Sequence, residues 1–558
     1  MILSAAGVLA AATAAAASIV LPAGRARAAT MLLALALFPL LILGDQWHSA
    51  QIVDLRDNAA AFAALGAAAA AACLLLAVIF RRWPILLPLA IVAALPFRVP
   101  LEAGGDTANL LVPLYLVIAG GVLSRAWGEW QEGGGVHLSA GFFAGRRSSL
   151  AESERRKTGR RAQIDPPALL PYVLAGVVLL YALQTLYSPD FSKSLQNVCF
   201  FFVPFSLVYA LLRDVRWDKK LLEYVLVVVA VEAVAFVLVG SIEYFSRELF
   251  WNDQVIRSNE FHTYFRVNSI FWDPNIYGRY LALVIVLAMS ALLWAKERKT
   301  LALLTGLVAV LWLGLVPTFS QSSFAALLVG LAVLAALRWS WRWTVAAVGA
   351  GAVLAVAIIL FAGGASKLSP DRCNVDTGGR CNLVSGGAKL FGQRPLWGYG
   401  SGSFPRAYRE HIATKKAPVS VSHTEPVTVA AEQGLIGLAA YAALLVVALW
   451  TMATGLFVPS SAVGREGGGV PLAQRRHVFR TDHSAREEDS KAKNPAREGD
   501  TPTLPPTPEL IARAAVLATF VALLTHTMAY AGFYEDPITW ALLAVGASLA
   551  APVVRDPA

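Results

Sequence analysis

Uncharged apolar runs long enough to cross a bilayer recur along this chain from residue 2 to residue 553, and no other feature constrains the fold as strongly. A hydrocarbon core of about 30 Å is spanned by about 20 apolar residues in a helix. Lipid offers no partner to a backbone N–H or C=O, so each run is read as one helix, hydrogen-bonded within itself. The approximate cores are 2–22, 28–43, 59–80, 84–97, 110–123, 169–186, 198–212, 221–242, 276–295, 301–316, 323–337, 344–361, 435–457, 512–530 and 537–553. They predict an all-α polytopic membrane protein of about 12–15 transmembrane helices, some of them short or touching their neighbours. Composition agrees, with 15% charged residues against roughly 25% in soluble domains, which excludes a soluble enzyme.

The formal charge of +10 has to be read against the tendency of Lys and Arg to remain on the cytoplasmic side. Alternate connections are the basic ones: Arg25 and Arg27, Arg81 and Arg82, residues 125–161, 213–220 and 296–299, Arg338 and Arg342, residues 465–497, and Arg555. That side is expected to be cytoplasmic, and the basic excess implies membrane topology and lipid contact, with no nucleic-acid partner. The first run has no basic residue before it, so it reads as an uncleaved span.

The expected organisation is N-terminal transmembrane helices over 1–123 and a basic cytoplasmic loop over 124–168. Central helices follow over 169–361, with an outward loop at 243–275, and then a large outward loop at 362–434. A helix at 435–458, a second cytoplasmic loop at 459–510 and C-terminal helices at 511–558 complete it. Both cytoplasmic loops are rich in Arg, Glu, Gly, Ser and Pro and too poor in apolar residues to fold alone, so they are expected to be disordered.

Long outward loops of mixed polarity tend to be functional. Cys373 and Cys381 lie in the larger one, in the run CNVDTGGRC, on the side that the charges independently place outside, and they read as a disulfide. A zinc site would want more nitrogen or sulfur ligands than the loop offers, so no metal is expected. The same surface carries Arg266, Arg279, Arg406 and Arg409, and outward guanidinium forks suit a phosphate or pyrophosphate. Arg266 and Arg279 lie in RVNSIFWDPNIYGRY, where Asp273 can cap a helix that starts at Pro274, and the positive helix end would add to an anion site. His423, in SVSHTEPVTVAAEQGLIGL, precedes the next apolar run with Glu425 and Glu432 after it, and a neutral imidazole suits the removal of a hydroxyl proton. The glycines of GYGSGSF follow no strand–turn–helix unit, so they are read as tight turns beside a ligand and not as a nucleotide loop.

Taken in order, RVNSIFWDPNIYGRY, TFSQSS, PLWGYGSGSF and SHTEPVTVAAEQGLIGL resemble the O-antigen ligase and polymerase superfamily over residues 266–438. The resemblance implies a cofactor-free and metal-free membrane glycosyltransferase at the outer face of the cell membrane. It would transfer a glycan from an undecaprenyl-pyrophosphate carrier to an acceptor hydroxyl on a lipid, a protein or a growing polysaccharide. By position, His423 matches the family histidine proposed to activate the acceptor, Arg266 the arginine proposed to bind the pyrophosphate, and Glu432 the acidic residue before the next helix. One departure stands out: where family ligases often show Ser-Arg, this chain has Ser320-Gln321. Gln321 can donate to a phosphate without neutralising it, so either Arg279, Arg406 or Arg409 supplies the second charge or the pyrophosphate is held differently here.

Two rival readings remain at this level. A transporter or flippase of lipid-linked saccharides predicts ionisable groups inside the spans, where Glu232 is the visible exception. A polytopic transferase using a monosaccharide-phosphate lipid would show an acidic pair in the first outer loop, where Asp45, Asp54 and Asp57 occur.

Overall fold

The computed structural model describes residues 2–103, 106–132, 166–261, 264–339, 342–350, 379–413, 421–454, 456 and 507–551. Most of the two loops expected to be cytoplasmic, residues 351–378 including Cys373, and residues 414–420 lie outside the described residues. Among the described residues, eleven helices are long and apolar enough to cross a membrane, and the protein is an all-α polytopic membrane protein.

Helices α1 (Ile2–Val20), α2 (Arg25–Asp45), α3 (Ala50–Asp57), α4 (Ala59–Arg82), α5 (Leu86–Ala94) and α6 (Val112–Glu132) form the N-terminal part. An antiparallel hairpin of β1 (Val99–Ala103) and β2 (Asp106–Leu110) separates α5 from α6. The run 84–97 is therefore no full span: its helix has nine residues and gives way to the hairpin. Helix α6 runs on through Glu132, past the expected loop boundary at 124.

Helices α7 (Pro166–Thr185), α8 (Phe191–Leu212), α9 (Lys219–Ser246), α10 (Asp253–Phe261), α11 (Pro274–Trp294), α12 (Arg298–Leu315) and α13 (Gln321–Arg338) follow. Then come α14 (Arg380–Gln393), α15 (Phe404–His411), α16 (Glu425–Ala453), α17 (Pro508–Thr527) and α18 (Pro537–Ala550). The last of these is apolar but only 14 residues long. Within α8 the chain takes a π turn at Val198–Phe202 just before Pro204, which can donate no helical hydrogen bond.

Side chains from many helices share the interior. Tyr181 stacks on Phe202 at 4.0 Å between ring centres, and Phe202 and Phe205 meet Trp540 edge-on. Burial in lipid brings no hydrophobic gain by itself, so close packing and internal hydrogen bonds carry the assembly.

At one end, the connections between α1 and α2 and between α8 and α9, together with the C-terminal end of α6, meet in a charge cluster. Fully buried Arg27 reaches Glu129 at 2.7 Å and also Asp214; Arg125 reaches Glu129 at 2.9 Å and Asp214 at 3.1 Å. These are basic residues from connections read as cytoplasmic, fixed here by buried carboxylates.

Helix α9 runs from this cluster to the opposite end, where the start of α11, the turn from α12 to α13, the start of α16 and the connection from α17 to α18 collect. All five non-glycine residues with left-handed backbone among the described residues lie in connections at that end: Arg247, Asn252, Ser269, Phe319 and His423. Such conformations cost energy for residues with a Cβ, and they cluster where function constrains the chain.

Candidate active site

Two helix starts face each other at this end, and their caps differ. Helix α11 begins at Pro274 as expected, and the Asp273 carboxylate accepts from the Asn275 N–H at 2.6 Å. That helix end therefore already holds its own anion. Helix α13 is capped by the neutral hydroxyl of Ser320, which accepts from the Ser323 N–H, while the N–H groups of Gln321 and Ser322 find no partner among the described residues. The helix end available to an external anion is thus α13, not α11.

Arg266 bridges the two starts. Its Nε donates to the Thr318 carbonyl at 2.9 Å and its Nη2 to Asn275 Oδ1 at 3.3 Å, while Nη1 has no partner among the described residues. Asn259 holds the backbone of Arg266 from both sides, accepting from its N–H and donating to its carbonyl, each at 3.0 Å. Burial pushes the guanidinium below its ordinary value, with Arg380 adding to that shift and Asp273 opposing it.

His423 sits at φ 62° between Ser422 and Thr424. Ser422 Oγ donates to the Thr424 carbonyl at 2.8 Å and accepts from the Thr424 N–H, a side-chain turn that pushes the imidazole out ahead of α16. The ring is partly buried and stands edge-on to Tyr530, 6.3 Å between centres. Burial lowers its pKa, and the Arg380 charge lowers it further against the pull of Asp273. The imidazole is thereby kept in the neutral, proton-accepting form.

Tyr530 links His423 to the α13 start. Its other face meets His526 at 5.7 Å, and the Asp273 carboxylate lies beside its hydroxyl. His526, fully buried at the end of α17, reaches Ser322 Oγ with Nε2 at 3.1 Å. Ser322 and Ser323 both contact Ser320 Oγ, at 3.2 and 2.7 Å. His423, Tyr530, His526, Ser322 and Arg266 thus belong to one connected constellation contributed by four separate parts of the chain.

Other expected site residues stand elsewhere. Arg279 is buried and paired with Asp536 at 2.7 Å, so its charge is already answered. Arg406 is exposed and bound to Glu410 at 2.9 Å and to the Pro189 carbonyl. Arg409, partly exposed on the same helix, makes no ion pair among the described residues. Gln321 is exposed, with no side-chain partner among the described residues. Arg279 and Arg406 are thus already paired, whereas the charge of Arg380 acts on His423, Arg266 and His526 together. Cys381, the next residue, is disulfide-bonded, while Cys73 and Cys199 are free; Cys373 lies outside the described residues.

Glu432 does not face a ligand. Its two carboxylate oxygens accept from the Gly402 N–H at 2.8 Å and the Phe404 N–H at 2.9 Å, and the group is buried. Glu425 does the same for Gly532 and Phe533, at 2.7 and 3.0 Å. The two carboxylates hang the glycine loop and the Tyr530 connection on α16. Helix α16 breaks at Gly434, φ 65°, to let the loop in. A Cβ on Gly398 would lie 2.3 Å from the Glu432 carbonyl oxygen, and one on Gly434 would lie 2.4 Å from that of Leu396. These glycines serve close backbone approach.

Among the described residues no cluster of His, Cys, Asp and Glu could hold a metal ion. Asp45 accepts from Ser192 and Gln196, and Asp57 is exposed, so neither stands in this constellation.

Residues 306–442, from the middle of α12 into α16, match the family model of the O-antigen ligase. Over these residues the chain is similar to the O-antigen ligase family. The match supports the superfamily that the motifs imply, a glycosyltransferase-type membrane protein family. The matched segment includes Ser320, Ser322, Arg380 and His423, whereas Arg266, His526 and Tyr530 come from flanking segments. No curated protein matches the chain. His526 and Tyr530 could have been found in THTMAYAGFYEDP, where an ionisable ring ends an otherwise apolar span.

Proposed function

We propose that the protein transfers a glycan from an undecaprenyl-pyrophosphate carrier to an acceptor hydroxyl at the outer face of the cell membrane, without a metal ion or cofactor. The observation that carries this reading is the connection of His423, through Tyr530 and His526, to the open start of α13 beside Arg266. A proton acceptor and a set of anion-binding donors then belong to one network, the two kinds of group that displacement of a pyrophosphate from an anomeric carbon requires.

In this reaction the acceptor O–H gives its proton to the neutral His423 ring. The oxygen forms a bond to the anomeric carbon, and the bond from that carbon to the carrier pyrophosphate breaks with its electron pair. Arg266 Nη1 and the free N–H groups of Gln321 and Ser322 receive the developing charge on the leaving oxygen. Attack opposite the leaving group inverts the anomeric centre. Sidedness rests on the charged connections: the Arg27, Arg125 and Asp214 cluster marks the inner end, and the His423 end is opposite.

Full-length protein reconstituted in vesicles, given a lipid-pyrophosphate glycan and an acceptor, tests the reading. Release of carrier pyrophosphate in step with glycan transfer and inversion at the anomeric carbon is the expected result. Translocation of the intact donor without bond cleavage would instead establish the flippase reading.

A further inference from the structure

We infer that Asp273 and Tyr530 are positioning residues for His423: the Tyr530 ring fixes the imidazole, and the Asp273 carboxylate beside the Tyr530 hydroxyl offsets the positive charge that the imidazole gains with the acceptor proton. The inference rests on the proposed transfer and gives the capping residue of α11 a second task.

The imidazole is held by a ring contact. Its backbone is left-handed, and its neighbours Ser422 and Thr424 bond to each other and not to the ring. Tyr530 meets it at 63° between planes and 6.3 Å between centres. Aromatic pairs at such distances favour tilted, edge-on arrangements, so the contact selects one orientation of the imidazole.

Tyr530 is anchored in turn by Asp273, whose carboxylate lies beside its hydroxyl. Burial pushes the Tyr530 pKa up, and the Asp273 charge raises it further against Arg279 and Arg98. The phenol therefore keeps its proton, and a phenol O–H beside a carboxylate donates to it. Asp273 has the capacity for this second donor. Its Oδ1 accepts from the Asn275 N–H at 2.6 Å, and an ionised carboxylate offers about four acceptor sites. Among the described residues Asp273 forms no ion pair, unlike Asp536 with Arg279, so its charge is left to act on its surroundings.

Those surroundings include the base. Burial and the charge of Arg380, at the start of α14, both disfavour a protonated His423. Asp273, ahead of α11, favours it, and Tyr530, from the connection between α17 and α18, faces it as a neutral phenol. Taking the acceptor proton creates an imidazolium in this place, and Asp273 is the neighbour that stabilises it. The proton stays on His423 and never reaches Asp273, as with the carboxylate that orients and supports the histidine of a hydrolase triad. Arg266 feels the same carboxylate, so its loss leaves anion binding intact or strengthens it.

Asp273→Asn separates the two tasks, because Asn caps a helix as well as Asp does and carries no charge. The parent, Asp273→Asn, Asp273→Ser, Tyr530→Phe and Tyr530→Leu are compared as full chains in vesicles for kcat, donor KM and the pH profile of kcat/KM. Asp273→Asn should keep the parental Tm, lower kcat roughly tenfold and leave donor KM unchanged or reduced. Its acid limb should move to lower pH, because the influence that raises the His423 pKa is gone. Tyr530→Phe keeps the ring and should lose less than Tyr530→Leu, which removes it. If Asp273→Asn folds poorly, Asp273→Ser, another neutral cap, carries the same test. Protonation of His423 is also read without any glycan, from the pH dependence of its modification by diethyl pyrocarbonate in the parent and Asp273→Asn. An acid limb and a modification profile unchanged in Asp273→Asn would overturn the inference while leaving glycan transfer intact, and so would a raised donor KM at parental kcat. A modification profile that moves to lower pH in Asp273→Asn, in a protein that transfers no glycan, would retain the positioning pair and overturn the proposed function.

Discussion

The imidazole of His423 and the phenol of Tyr530 meet edge-on with 6.3 Å between ring centres, joining the start of α16 to the connection between α17 and α18. The backbone at His423 is left-handed, a conformation that the Ser422 and Thr424 turn and the Tyr530 contact together hold in place. Contacts that hold one residue in a strained conformation suit the orienting role proposed for His423.

The pH dependence of transfer follows from the same surroundings. Burial and the Arg380 charge lower the His423 pKa from its ordinary value of 6.5. The neutral base therefore persists into mildly acidic solution and is lost only as pH falls through that lowered value. The profile of kcat/KM, which reports the free enzyme, should show an acid limb with its midpoint below 6.5; a midpoint above it would contradict this environment.

Arg266→Ala removes the guanidinium that spans Thr318 and Asn275 and that, in the proposed reaction, would offer Nη1 to the donor. A hydrogen bond to a charged group contributes about 1.5–3 kcal/mol, so donor KM should rise roughly tenfold to a hundredfold. Arg266→Lys keeps charge without the fork and should recover only part of the loss. Donor titrations at fixed acceptor measure both, and an unchanged KM would remove Arg266 from the donor site.

Glu432→Ala should act on stability first. It leaves the buried N–H groups of Gly402 and Phe404 without an acceptor, at about 1–3 kcal/mol each. Thermal unfolding in detergent should show a clear fall in Tm, smaller for Glu432→Gln, with donor KM unchanged in the folded fraction. A raised KM at parental stability would return Glu432 to the binding surface.

At the opposite end, Asp214→Ala removes the carboxylate that Arg27, Arg125 and Arg213 share. Removing one member of a buried ion cluster costs about 3–5 kcal/mol, and the unfolding midpoint should fall accordingly. Burial by itself would raise the Asp214 pKa, but the three arginines outweigh it and hold the carboxylate below its ordinary value. The stabilisation is complete above the unfolded pKa of about 3.9 and is lost as pH falls through the lower folded value. The difference between parent and variant should therefore be constant at neutral pH and shrink in strong acid.

Local chemistry made several of these features legible in the sequence. Asp273 before Pro274 is a helix start written in adjacent residues, and His423 stands out by its place before an apolar run, although the helix after it begins at Glu425 and not at the apolar run from 435. What escaped depends on partners far along the chain. Arg279 looks like a free cation until Asp536 is brought to it, and Glu432 looks like a ligand until the glycine loop folds over it. The run 84–97 looks like a span until β1 and β2 follow it. Helix α11 looks like an anion-binding start until the charge of its own Asp273 cap is counted, whereas the start of α13 carries only the neutral cap of Ser320.

The most direct measurement is transfer by purified, reconstituted His423→Ala with a defined lipid-pyrophosphate glycan and a saturating acceptor. The variant should keep the parental Tm and donor affinity and lose transfer by a factor on the order of 10²–10⁴, the usual contribution of a general base. Transfer at the parental rate would contradict the account.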